Sequence, residues 1–538
     1  MSQVFDNTIR ALNSGYSQSG ASLNRENMKG FHAVSTSAHE DIEYNNPILR
    51  QRARALYMAS PIAASAIKTN RTNIIGRGLR LQSSIDKDVL GLSTEQAEAW
   101  QKKTEKEFAL WASSKSCDAL GLSNFNELQQ LALQSWLLSG DAFALMERHK
   151  PSRMNPYSLH IHLIEADRVS TPMGLMKYLA YNRTTGFNEE TKNWIYDGVE
   201  VDNKGRPIAY HICSHYPGET KPEYSEIKWQ SVQARQRRTG LPNVLHLMDA
   251  ERPEQYRGVP YLAQVIEPLL QLRRYTDAEL TAAVIESFFT VFVTTEEHQD
   301  DPFEEPKKTI QPMDTSAKEY NLGAGTVHVM KPNQSITSAD PKRPSNGFEG
   351  FVKAITRQIG AALEIPADLL LKEFNASYSA SRAALMEAWK TFNMRREWLA
   401  EDFCKPIYEV WLSEAVALGR IDAPGFFDDP LIHSAWLGSV WLGPSQGQLD
   451  PVKEITAEIL ACSEGFSTHE QSTTKLNGGK WDANIERLRI ENEKLQGQAP
   501  DAHQSEAHQE SKELQESQRE DKTAHLAAIL NSLERSSD

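Results

Sequence analysis

The chain has 538 residues, 40% hydrophobic and 24% charged, which fits a soluble protein of about two to four domains with a sizeable core. Its 58 basic residues face 72 acidic ones, and a net charge of −14 argues against a static grip on nucleic acid, which calls for a basic surplus. An acidic surface suits instead a wall that a polyanion slides past.

Cys117, Cys213, Cys404 and Cys462 are widely scattered, so neither a zinc ribbon nor a dithiol redox motif is supported, and reduced thiols in a cytoplasmic compartment are expected. The polar N-terminus has no apolar core of a secretory signal, and no run of 18 apolar residues exists; the best candidate, Leu280 to Val293, contains Glu286.

Residues 1–45 are rich in Ser, Asn and Gly and read as a flexible arm. Asn46 to Ile75 reads as helix, with Pro61 marking a break or a new start. Leu79 to Gln82 alternates like a strand. Ser93 and Gln96 fit a capping box for a helix reaching Trp111. Asn124 to Leu138 is a third helix, with Leu128, Leu131, Trp136 and Leu138 as its buried side. From Asp141 to Leu247 the period changes to two: Leu159 to Ile164 alternates, Val199 to Ile212 is a hairpin turning at Asp202-Asn203-Lys204-Gly205, and Val244 to Leu247 is a short strand. This half reads as α+β.

Gly258 to Phe289 is the first long helix, with Pro260 tolerated in its first turn and a bend expected at Pro268. Residues 290–346, rich in Pro with short β-like runs such as Thr326 to Val329, read as a compact insertion. A helix then carries Phe348, Phe351, Ile355, Ile359 and Leu363 on one face. The loop Lys372 to Ser381 follows, and a second helix carries Leu385, Trp389, Phe392, Leu399, Phe403, Ile407 and Trp411. Ser381 to Leu418 would span roughly 57 Å, a length suited to a lengthwise interface between copies. Pro406 predicts a kink near Asp402. Residues 422–450, with Trp436 and Trp441, read as packed loops, and Pro451 to Leu476 and Asp482 to Leu495 as helices. The tail from Gly497 is Gln-, Glu- and Ser-rich apart from an apolar cluster at Leu526, Ile529, Leu530 and Leu533, and reads as disorder or a solvated helix.

Motifs for chemistry are scarce. There is no GxxxxGK[ST]; Gly478-Gly479-Lys480 is followed by Trp481 and reads as a turn. No HExxH or GxSxG occurs, and neither catalytic residues nor a cofactor is expected. His160 and His162 have HxH spacing, as metal ligands or as half-buried polar residues. Asp300-Asp301 with Glu304-Glu305 reads as a cation site or a solvated acidic loop. Arg235, Arg237 and Arg238 could meet phosphate or an acidic partner, or simply form an exposed basic loop.

Four blocks carry a resemblance. Arg52-Ala53-Arg54 is followed by Asn70 and by Ile74 to Gln82. Cys117-Asp118-Ala119 is followed by Leu128-Gln129 and Ser139 to Phe143. Glu251-Arg252-Pro253 runs to Arg257-Gly258-Val259-Pro260. Gly347 to Phe351 leads through Ile355 to Pro366 and Leu369-Leu370 to Asn375 to Leu385. In this order, over about residues 50–420, the sequence resembles the portal proteins of tailed bacteriophages, in particular the lambda-type branch.

The resemblance implies an α+β portal-type subunit in a ring, usually of twelve copies, through which double-stranded DNA passes without sequence preference. It assigns 46–257 to a wing, 258–289 and 347–364 to stem helices, and 290–346 to a clip, following the 1–45 arm read from composition. It assigns 365–380 to a tunnel loop, 381–419 to a long kinked inner-wall helix and 420–496 to a crown; 497–538 matches no family pattern. The tunnel loop would place Lys372, Asn375, Ser377, Tyr378, Ser379, Ser381 and Arg382 against DNA, through weak polar contacts and limited phosphate attraction. Implied partners are the major capsid and scaffold proteins, the terminase large subunit and head–tail adaptors, with no membrane. The implied location is the capsid portal vertex of the virion, after assembly in the host cytoplasm. An assembly-pathway protease or nuclease, or another head–tail adaptor ring, are the alternatives.

Overall fold

The structure, a computed structural model, describes residues 21–22, 25–31, 33–176, 184–217, 219, 227–287, 291–295, 334–338, 347–374, 377–447 and 450–496. One compact unit ends at Trp441 and a second begins at Leu442. Much of the predicted arm, nearly all of the 290–346 insertion, including Thr326 to Val329, and the 497–538 tail lie outside the described residues.

The first helices follow local sequence chemistry. α1 (Ala38–Glu43) opens on a Ser37–Glu40 capping box. α2 (Asn46–Ala59) and α3 (Pro61–Ile74) divide at Pro61, as expected: proline suits a helix start, and the Ser60 hydroxyl accepts from the Ala63 amide. β1 (Arg80–Ser83) and the short α4 (Lys87–Leu90) lead to α5 (Thr94–Ser113), headed by the predicted Ser93–Gln96 box. In α6 (Phe125–Ser139) Leu128 and Trp136 are buried as expected, but Leu131 is half exposed. The core face runs through Phe125, Leu128, Ala132, Leu133, Trp136 and Leu137, and Leu131 points the other way.

Among the described residues, nine strands precede the next helix: β1 above, β2 (Asp141–Arg148), β3 (Leu159–Glu165), β4 (Thr185–Asn188), β5 (Asn193–Tyr196), β6 (Val199–Val201), β7 (Pro207–Cys213), β8 (Trp229–Gln233) and β9 (Val244–Met248). One antiparallel sheet has the order β3-β2-β9, with Ala144 opposite both Leu163 and Leu245. A second runs β4-β5-β6-β7-β8. The β6–β7 turn forms where expected: Gly205 takes φ +80°, and Asp202 Oδ1 accepts from the Lys204 and Arg206 amides at 2.8 and 2.9 Å.

The long helix predicted from Gly258 starts later. A 3₁₀ turn at Ala263–Val265 precedes α7 (Ile266–Ser287), so Pro268 falls in the first turn of the α-helix, where no intrahelical N–H is missed. β10 (Val291–Thr295) pairs antiparallel with β11 (Gln334–Ser338), Val293 opposite Ile336. α8 (Phe348–Ala362) packs on α7 through Tyr275, whose ring lies 4.6 Å from Phe351 and 5.6 Å from Phe348. Ile359 and Leu363 are buried as predicted, whereas Phe351 stays half exposed.

After α9 (Ala367–Leu371), α10 (Tyr378–Leu399) runs without interruption through a π-helical segment, Ala400–Cys404, into α11 (Lys405–Ala417). This rod would span roughly 60 Å at ordinary helical rise. The π segment lies where Pro406 predicts a kink: proline offers no N–H and its ring crowds the preceding turn, which the wider hydrogen-bond ring absorbs. The packed loops predicted beyond residue 422 include structure after all: Trp436 ends α12 (Pro430–Trp436) and Trp441 lies in β12 (Ser439–Leu442), which pairs with β1. In the second unit the helix predicted over 451–476 is two, α13 (Pro451–Ser463) and α14 (His469–Asn477), with Thr468 capping the second; α15 (Trp481–Gln496) follows the left-handed Gly478 turn.

One continuous core runs from Ala53 to Trp441. At its centre Phe108 meets Trp411 edge-on at 5.0 Å and Phe125 at 5.7 Å, while Phe125 stacks on Phe403. A smaller core around Phe143, Val199, Tyr210 and Val244 joins the two sheets.

A buried ionic clasp ties these parts together. The Asp141 carboxylate, at the head of β2, accepts from Arg257 Nε at 2.6 Å, Arg50 Nη2 at 3.2 Å, His246 Nε2 at 3.3 Å and the Gly258 amide at 3.2 Å. Asp197, in the β5–β6 turn, pairs with Arg257 at 2.7 Å and Arg50 at 3.3 Å. The remaining guanidinium donors reach the carbonyls of Ser139, Ala166 and Val169. Burial pushes the Asp141 carboxyl up, but Arg257, Arg50 and His246 outweigh it and hold the group well below the usual carboxylate range. Burial depresses His246 despite its Asp141 partner. Gly140 and Gly258 touch backbone to backbone beside the clasp; a Cβ on Gly258 would lie 1.9 Å from the Gly140 carbonyl oxygen.

Asp141→Asn should therefore cost about 3–5 kcal/mol of stability in urea unfolding at neutral pH, because two buried guanidinium groups lose a counter-charge. The wild-type chain should weaken in acid in two windows. Unfolded His246 binds a proton below about pH 6.5, so stability falls as the pH drops towards its depressed folded value. The Asp141 contribution is complete above about pH 4 and is lost as the pH falls towards the still lower folded pKa. His246→Gln should flatten the first window, read as the pH dependence of the urea midpoint.

Candidate functional site

The segment between α8 and α10 is built from two left-handed residues bracketing a short helix. Glu364 at φ +54° closes α8, and Lys372 at φ +57° closes α9; each is a position where glycine is the usual occupant. Such conformations cost about 1–3 kcal/mol each and persist only where the surroundings hold them. Gly360 lets the chain double back: a Cβ there would lie 2.5 Å from the Ile365 carbonyl oxygen.

The surroundings hold the segment from three sides. Ser65 Oγ donates to the Leu370 carbonyl at 2.7 Å, and the Tyr261 hydroxyl donates to that of Leu363. Arg395, on α10, pairs with Glu364 at 3.0 Å, donates to Asn70 Oδ1 at 2.9 Å and lies over the Tyr261 ring at 4.7 Å. Arg396 donates to the carbonyls of Asn73 and Ile74 at 2.8 and 2.9 Å, satisfying the C-terminal end of α3, which has no further turn to receive them. Burial lowers this guanidinium to about 10. Lys353 bridges Glu349 at 2.6 Å and Glu373 at 3.6 Å on the outer side.

The residues singled out in the sequence fall as follows. Lys372 and Phe374 are exposed, and Ser377 caps α10 by accepting from the Ala380 amide. Ser379, Ser381 and Arg382 belong to the first turns of α10 rather than to a loop, because the Ser377 cap starts the helix at Tyr378. Ser379 is exposed, and Ser381 and Arg382 are partly exposed. Asn375 lies outside the described residues, and Tyr378 is described by its backbone alone. The polar run is thus a helix N-terminus and its approach, on the opening of a rod whose deeper residues Ala388, Trp389 and Phe392 are buried.

The other candidates sit apart. His160 Nδ1 lies 2.8 Å from the Ser158 carbonyl oxygen, and His162 Nδ1 lies 2.8 Å from Glu147 Oε1, so each is engaged within the sheet. Among the described residues no group of three His, Cys, Asp or Glu side chains is placed to hold a metal ion. Arg237 and Arg238 are exposed in a turn, while Arg235 donates to the Gly240 carbonyl at 3.1 Å. Asp300, Asp301, Glu304 and Glu305 lie outside the described residues. Among the described residues no helix is long and apolar enough to cross a membrane. The anchoring set Ser65, Asn70, Tyr261, Arg395 and Arg396 was not singled out for this role by sequence. Its one advance signal is a pair of adjacent arginines inside an otherwise amphipathic helix.

A family model described as phage portal protein, lambda family, matches residues 24–396. The portal protein of Escherichia phage N15 is 21% identical over 481 residues, covering 86% of this chain and 87% of that protein. Portal protein B of Escherichia phage lambda is 22% identical over 444 residues, covering 79% of each. The solved neck of a native gene transfer agent particle aligns at a TM-score of 0.39 and 12% identity, covering 81% of this chain and 94% of that one.

Arg396→Ala should lower stability by about 2–4 kcal/mol, since two buried carbonyls lose charge-assisted partners. The loss should show as a lower urea midpoint and as faster amide exchange at the C-terminal end of α3.

Proposed function

This chain belongs to the lambda family of phage portal proteins, and from that premise we propose how its parts serve the portal. A portal protein forms the channel at the capsid vertex of the virion through which DNA is packaged. The observation that carries this reading is the family match across residues 24–396. The protein works by shape rather than by bond-making.

In the proposed ring, of about twelve subunits on the family pattern, the first turns of the rod, from Tyr378, border the channel, and its buried second half, α11, anchors the rod in the subunit core. The approach to its N-terminus, from Lys372 to Arg382, faces the DNA. Serine hydroxyls there exchange hydrogen bonds with water or phosphate at little net cost, and Lys372 and Arg382 supply weak attraction without base readout. Residues 46–257 form the wing, 258–289 and 347–364 the stem, 290–346 the clip and 420–496 the crown. The clip is the docking surface for terminase and later for head–tail adaptors, and the ring nucleates procapsid assembly with capsid and scaffold proteins. The anchors at Ser65, Tyr261, Arg395 and Arg396 support this role, because a channel wall must resist being dragged by the moving duplex.

Negative-stain microscopy with native mass measurement of the purified protein tests the reading. A ring with a central hole and a stalk is expected; monomers with hydrolytic activity would overturn it. In particles that package DNA, Lys372→Ala with Arg382→Ala should leave the ring mass unchanged. It should also flatten the salt dependence of DNA retention by about 0.9 in log–log slope for each phosphate that is no longer neutralised.

A further inference from the structure

The described residues of the second unit beyond Leu442 form no apolar core of their own. Among its described residues from Gly443 onward no large hydrophobic side chain is buried. α13 meets α14 through polar atoms: Glu458 accepts from Ser472 Oγ at 2.9 Å and pairs with Lys475, and Cys462 Sγ lies 3.2 Å from Ser472 Oγ. Beside this contact on α13, Val452, Ile455 and Ile459 form a stripe exposed by 76, 42 and 63%. Helices held together by a few polar contacts do not offset their conformational entropy. A stripe at spacings of three and four is the face a packed helix normally buries.

The chain carries a matching face. Leu526, Ile529, Leu530 and Leu533 recur at i, i+3, i+4 and i+7, in residues outside the described ones. Leu526 to Leu533 and Val452 to Ile459 cover the same seven-residue step, so two such helices can pack lengthwise, stripe on stripe. Charge agrees with this pairing. Residues 450–496 hold nine acidic and six basic residues, whereas 522–535 hold Lys522 and Arg535 against Glu534 alone. The intervening 497–521 hold seven acidic residues and two basic, so the stripe sits in the less acidic part of the tail. The described chain ends at Gln496 within this same unit. A flexible linker of 29 residues, the length of 497–525, reaches about 30 Å.

We propose that the tail segment around Leu526–Leu533 docks as an amphipathic helix on the Val452–Ile455–Ile459 face of α13 and completes the core of the second unit. This goes beyond the channel reading and does not depend on it. The tail is then an internal clamp on the crown helices, and its acidic linker a solvated loop.

Hydrogen exchange followed by mass spectrometry on the full chain tests this, against a chain ending at Gln496 and against Ile529→Asp with Leu530→Asp. Both variants should exchange α13 amides at least tenfold faster than the full chain at the same assembly state, with α6 unchanged. A synthetic peptide of residues 520–538 should restore protection to the shortened chain, and Val452→Asp with Ile459→Asp should abolish that rescue. Equal α13 exchange in the full and shortened chains would overturn the proposal. So would α13 protection that survives truncation and rises with protein concentration, which would make a second copy the occupant.

Discussion

A carboxylate sealed from water has to be matched where it stands, and Asp141 is matched by four groups drawn from three separate parts of the chain. Arg50 comes from α2, Arg257 from the approach to α7, His246 from β9 and the Gly258 amide from a backbone pressed against Gly140. Taking these charges out of water is expensive, and their mutual attraction repays it only in one geometry. The clasp therefore works less as a source of stability than as a constraint. It fixes how the three-stranded sheet, the five-stranded sheet and the first long helices register against each other.

That constraint passes to the exposed segment through packing. α2 carries Arg50 and leads directly into α3, whose C-terminal carbonyls are bound by Arg396. The neighbouring Arg395 holds Glu364 in its left-handed conformation, and Ser65 of α3 holds the end of α9. Backbone strain at Glu364 and Lys372 is thus carried by neighbours. In the proposed channel this separates two tasks. The buried arginines resist load, while the exposed hydroxyls make contacts weak enough to be exchanged as DNA moves.

Much of this was legible in the sequence, for identifiable reasons. Proline and capping chemistry act locally, so the α2–α3 division at Pro61, the Ser93 box and the disturbance before Pro406 could be read directly. So could the α+β character and the Asp202–Gly205 turn. Features that depend on partners could not be read. Leu131 fits a helical apolar pattern, yet the core lies on the far side of α6. Trp436 and Trp441 stand among Pro and Gly, which hid the short helix and strand that carry them. The site was legible as a stretch of polar residues, but not its helical start at Tyr378, which a single serine cap decides. The clasp was half visible: Asp141 and Arg257 lay in two of the family-like blocks, but sequence separations of 91 and 116 residues gave no reason to pair Asp141 with Arg50 or Arg257.

The most direct measurement is a cryo-electron-microscopy map of the assembled oligomer, from which the distance of each α10 residue to the symmetry axis can be read. The account predicts that Ser377 and Ser379 lie among the residues nearest the axis, with Arg395 and Arg396 turned outward into the subunit. A map that placed Ser377 at the outer perimeter, with other residues bordering the hole, would contradict it.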